Sequence, residues 1–129
     1  MKYVVITNNE DVIKYVEENQ NLFEGIYVDG NIRDVVFTSR DKILDNYTLV
    51  VDPLCGRKER PMPYLSVVLK QNDKEDIHEN DIIRVEWFVG SYCDSSEFLD
   101  SIPKEKMKDY RVLDTSLTKN ACKFLNKAI

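Results

Sequence analysis

Apolar residues along this chain fall into short blocks, and the blocks alternate between a strand-like and a helical period. Lys2–Thr7 is an apolar run stopped by Asn8-Asn9; four apolar residues in succession predict a strand covered on both faces. Asn9–Gln20 then sets Val12, Ile13 and Val16 on one helical face, with Asn8 or Asn9 as cap and Asp11 near the positive end of the dipole. Phe23–Val28 is a second strand, ended by the turn signal Asp29-Gly30. Asn31 opens a second helix, with Ile32, Val35, Val36, Ser39 and Ile43 at helical spacing and Asp34 three residues past the cap. Asp45-Asn46 closes it, and Tyr47–Val51 and Tyr64–Leu69 are two further strands.

The second half is less regular. Ile82, Val85 and Val89 give a helical stripe, while Ile83, Val85, Trp87 and Val89 alternate like a strand. Phe88 breaks that alternation and the length favours a helix, about 79–93. Ser95–Leu99 extends that helix or begins another. Pro103 suits the first turn of a short helix through Met107, followed by a strand at Tyr110–Leu113. Asp114, Thr115 or Ser116 then caps a final helix with Leu117, Ala121, Phe124 and Leu125 inward. The alternation predicts one α/β domain over residues 1–129: a three-layer α/β/α sandwich with a mainly parallel sheet of about five strands.

Composition narrows the function classes. The 129 residues suit one domain, and 43% hydrophobic content supports a single core. Asp and Glu number 23 against 18 Lys and Arg, giving a formal charge of −5. That balance argues against nonspecific binding to nucleic acid or an anionic membrane. No apolar run approaches the length of a membrane span, and the N-terminus lacks the pattern of a signal peptide. Three widely spaced cysteines, Cys55, Cys93 and Cys122, point to a reducing, cytoplasmic setting. With one histidine, His78, and no glycine-rich phosphate loop, neither a metal nor a nucleotide cofactor is expected.

Candidate chemistry gathers at the ends of two strands. Between Val51 and Tyr64 lie three prolines and Arg57, Lys58 and Arg60, a basic spot on an acidic chain. If the first and third strands run in the same direction, Thr7, Asn8 and Asn9 share an edge with Asp52 and the loop containing Gly56 and ending at Tyr64. Helix N–H groups and the basic residues there could hold a small anion; alternatively the asparagines only cap the helix and the basic residues are solvated. Cys55, beside Arg57 and Lys58, is a candidate nucleophile, and Asp52 a candidate acid/base. Against this, no histidine is near in sequence, and a small residue packed in a tight loop explains Cys55 as well. Arg40, next to Asp41, is either a surface charge or part of the site edge. Trp87, Phe88 and Tyr92 fill the core or give helix 79–93 a second apolar side suited to a homodimer.

Four segments carry a resemblance: ITNN at Ile6–Asn9, the helix bearing Arg40-Asp41, LVVDPLCGRKERPMPYLSVVL at Leu49–Leu69, and VLDTSL at Val112–Leu117. Together they resemble the GrdX family, small proteins encoded with glycine, sarcosine or betaine reductase genes in amino-acid-fermenting anaerobes. The family's central segment reads roughly HPLSGS followed by PYxS, and Pro53, Leu54, Gly56, Pro63, Tyr64 and Ser66 fall on it. Asp52 stands in place of the histidine and Cys55 in place of the serine. The resemblance implies a cytoplasmic accessory role, with glycine reductase components as partners. It implies no activity and no catalytic residue.

Overall fold

The computed structural model describes residues 3–51, 63–72, 79–88 and 100–127. Among these residues the chain is mixed α/β, with four strands and four helices: β1 (Tyr3–Thr7), α1 (Glu10–Glu17), β2 (Phe23–Tyr27), α2 (Ile32–Leu44), β3 (Tyr47–Val51), β4 (Ser66–Gln71), α3 (Glu79–Phe88) and α4 (Lys104–Lys127). The sheet order is β2-β1-β4-β3.

Among the described residues only the β1–β2 pairing is parallel; β4 lies antiparallel between β1 and β3. This corrects the expectation of a mainly parallel sheet of five strands. A parallel return from β3 would require a long crossover, usually helical. β4 instead returns antiparallel to β3 and lies between it and β1. β1, β2 and β3 nevertheless all run one way, so their carboxyl ends share an edge with the start of β4.

β1 explains its own unbroken apolar run. Val4 and Ile6 enter a core with Ile32, Val35, Val36 and Ile43 of α2 and Val85 of α3. Val5 enters a second core with Val12 and Val16 of α1 and Cys122 and Leu125 of α4. Each strand residue points to the opposite face from its neighbour, and helices cover both faces. Gly25 on β2 permits the close approach of α1: an added Cβ would sit 3.0 Å from Ile13 Cδ1 and 3.1 Å from Val16 Cγ1.

The helix starts follow local chemistry. Asn9 caps α1 by accepting from the Asp11 N–H. Asn31 and Asp34 form a reciprocal capping box on α2. Asn46, with φ of 71°, makes the turn from α2 to β3; asparagine tolerates this left-handed conformation better than most residues. On edge strand β3, Asp81 from the first turn of α3 accepts from the Thr48 hydroxyl and, at 3.0 Å, from the Leu49 N–H. That contact occupies part of an exposed sheet edge.

The largest departure is at the C-terminus. The predicted short helix, strand Tyr110–Leu113 and separate final helix are one 24-residue helix, α4. Asp114, Thr115 and Ser116 are therefore interior helix residues rather than caps. Phe124, expected inward, is 73% exposed. Ile83 on α3 is also exposed, whereas Val85 is buried. The side chains of Trp87 and Phe88, and all of Tyr92, lie outside the described residues. No helix among the described residues is long and apolar enough to cross a membrane.

Candidate functional site

The strand-end edge holds a buried polar cluster. Thr7 and Asn9 are fully buried, Asn8 nearly so, and Asp114 of α4 is 3% exposed. Buried polar groups of this kind are costly unless they are hydrogen-bonded.

Asn8 joins three segments. Its Nδ2 donates to the Gly30 carbonyl at 3.1 Å and to the Pro63 carbonyl at 3.0 Å. Its Oδ1 accepts from the Leu65 N–H at 2.9 Å. The side chain thus ties the end of β1 to the β2–α2 turn and to the entry of β4. Gly30 fits here because an added Cβ would lie 2.2 Å from the Asp34 carboxylate oxygen of the capping box.

Asn9 faces the other way, toward α4. Its Oδ1 caps α1 at 3.0 Å. Its Nδ2 lies 3.1 Å from Asp114 Oδ2, 3.0 Å from Thr115 Oγ1 and 3.1 Å from the Arg111 carbonyl. Two amide hydrogens are shared among three acceptors. Ser66 donates to Asp114 Oδ2 at 2.8 Å. A hydroxyl has one hydrogen, so the 2.7 Å contact between Thr7 and Ser66 runs from Thr7 to Ser66. Thr7 Oγ1 in turn accepts from the Asn9 N–H at 3.0 Å, and Thr115 donates to the Arg111 carbonyl at 2.7 Å. The hydroxyl hydrogens of Thr7, Ser66 and Thr115 and the side-chain amide hydrogens of Asn8 and Asn9 all have internal acceptors.

At the rim, Arg111 Nε sits 3.1 Å from Asp11 Oδ2. The N–H is not aligned for a hydrogen bond, so the contact is electrostatic. Both side chains are more than a third exposed, and pairs like this contribute less than about 1 kcal/mol.

The acidic surroundings bear on anion binding at α1. Glu10 and Asp11 occupy its first turn and Asp114 lies beneath Asn9. Negative charge already offsets the helix dipole there. Asn8 and Asn9 spend their donors on the protein itself.

The structure brings Thr7, Asn8 and Asn9 together, and places Tyr64 half-buried next to Leu65, whose N–H Asn8 holds. It does not bring Arg40 to them. Arg40 pairs with Glu86 of α3 at 3.3 Å and lies 4.7 Å over the Phe37 ring. Asp52, Cys55, Gly56, Arg57, Lys58 and Arg60 lie outside the described residues, as does His78. Val51 and Pro63, the last and first described residues flanking that segment, are both at this edge.

The family model described as GrdX-like protein matches residues 4–123. The chain belongs to the GrdX-like protein family. The match takes in β2, β3, β4, all of β1 but Tyr3, both asparagines and the Asp114–Thr115 portion of α4. No curated protein and no solved structure matches the chain.

Ser66, Asp114 and Thr115 were missed as site residues by sequence reasoning. Their signal was present: Ser66 ends the PYxS pattern that marks the family, and Asp114-Thr115 lie in VLDTSL. Polar residues on the inward face of a helix require a polar partner, and here it is the end of β1. Among the described residues no cluster of His, Cys, Asp and Glu could hold a metal. Cys122 is fully enclosed, and burial pushes its thiol up to about 11, which keeps it protonated and unreactive.

Proposed function

We propose that this chain is a non-enzymatic accessory protein of the glycine reductase system, and that it binds a reductase component through the strand-end edge. Membership of the GrdX-like family supports the association. The observation that carries the binding reading is the closed hydrogen-bond chain Thr7–Ser66–Asp114–Asn9. A nucleophilic hydroxyl requires a base free to take its proton. Here Asp114, which accepts the Ser66 proton, is buried and also held by Asn9, and the cluster frames the edge at which residues 52–62, a basic spot on an acidic chain, are attached. Loops held by a rigid frame are common sites of recognition. Arg57, Lys58, Arg60 and Tyr64 are the residues that would meet an acidic partner surface. Asp52 and Gly56 belong to the same segment, and the enzyme alternative would rest on Cys55 or Asp52.

Binding of purified glycine reductase components to the immobilised chain tests this reading. The variant Arg57→Glu/Lys58→Glu/Arg60→Glu should bind at least about 10-fold more weakly, through loss of electrostatic complementarity. Cys55→Ser should bind like the parent protein. No binding by the parent protein, or equal binding by the triple variant, would overturn the proposal.

A further inference from the structure

A second polar region lies beside the edge and is unlike it. An open groove of about 310 Å³ runs between the start of α1 and the outer flank of α4. That is near the lower end of the size range for small-ligand sites. α4 supplies Ser116, Lys119, Asn120 and Lys123 at helical spacing along one wall. Val112, 55% exposed, adds an apolar patch.

Charge in the groove is positive. Asp11, on the α1 side, is engaged with Arg111 at 3.1 Å. Among the described residues, neither Lys119 nor Lys123 has a carboxylate within ion-pair distance. Lys119 is held in place: its Nζ lies 5.4 Å from the centre of the Tyr15 ring, one turn beyond Asp11 on α1. A cation over an aromatic face keeps its charge and its remaining donors. Two ammonium groups, two hydroxyls and an amide thus line one depression with a single carboxylate, that of the ion-paired Asp11, on a protein whose net charge is −5.

We infer that this groove is a binding site for a small organic anion, with its carboxylate or phosphate group between Lys119 and Lys123 and its apolar part against Val112. Ser116 and Asn120 donate the neutral hydrogen bonds. The inference goes beyond the partner surface proposed above and uses none of its loop residues.

Isotope-labelled protein titrated separately with succinate and inorganic phosphate tests it by NMR. The expected result is saturable shifts at Ser116, Lys119, Asn120 and Lys123, with a Kd on the order of 1 mM for the preferred probe. Comparing the two probes separates carboxylate from phosphate recognition. Lys119→Gln/Lys123→Gln should weaken binding at least about 10-fold, and Lys119→Arg/Lys123→Arg should restore most of it. The inference fails if neither probe shifts these residues at about 20 mM. It also fails if Lys104, Lys106 and Lys108 shift equally, or if the Gln variant binds as well as the parent protein. Partner binding is read separately with the Arg57/Lys58/Arg60 variant, so either proposal can fail alone.

Discussion

The strand-end cluster and the α1–α4 groove lie side by side, share Asp11 and Thr115 at their boundary, and are built on opposite terms. In the cluster, donors and acceptors are buried and answer one another across β1, β4 and α4. In the groove, donors line an open surface and the lysines answer to no carboxylate among the described residues. Polar residues gathered at strand ends suggest a ligand site from sequence alone. The contrast shows that satisfied groups hold the fold, while donors left facing solvent remain available to a ligand.

The comparison breaks first at Asn9. Asn9→Ala removes the α1 cap and takes a donor from buried Asp114, so denaturant unfolding should show a loss of about 3 kcal/mol. If the loss is within about 0.5 kcal/mol, the cluster is not a frame. A smaller loss, about 1–2 kcal/mol, is expected for Asp81→Ala, which leaves the Leu49 N–H on the β3 edge without its acceptor. Equal stability in that variant would show the edge to be solvated instead.

Cys122 sharpens the picture from the apolar side. Burial raises its pKa from 9.0 to about 11. The unfolded thiol therefore ionises before the folded one, and the stabilisation is complete below about pH 9 and lost as pH rises through about 11. The stability advantage of the parent protein over Cys122→Ala should shrink across that window; a constant difference would contradict the buried placement. The smallest effect on stability belongs to the groove. Lys119→Gln/Lys123→Gln should leave the thermal midpoint within about 2 °C of the parent value, because the groove lysines support no buried partner.

Much of the fold was legible in the sequence because the first half obeys local rules. Asn9, Asn31 and Asp34 cap where their side chains can reach free N–H groups. Val12 and Val16, or Ile32, Val36 and Ile43, mark faces that are buried. The position of β4 was not legible, because strand order depends on nonlocal pairing. Nor was α4. Its inward face carries Asp114 and Thr118 beside Cys122 and Leu125, so the apolar stripe looks broken where the helix meets the strand ends. The same feature explains the partial reading of the site. Thr7, Asn8 and Asn9 stood out as a run, whereas Ser66 and Asp114 acquire meaning only when β4 and α4 are brought to them.

A double-mutant cycle on Asn9 and Asp114 tests most directly whether the strand-end cluster is one coupled frame. Stabilities of the parent protein, Asn9→Ala, Asp114→Ala and the double variant would be measured by denaturant unfolding. A coupling energy above about 1 kcal/mol is predicted for groups in one buried network. Additive losses, with coupling below about 0.3 kcal/mol, would contradict it.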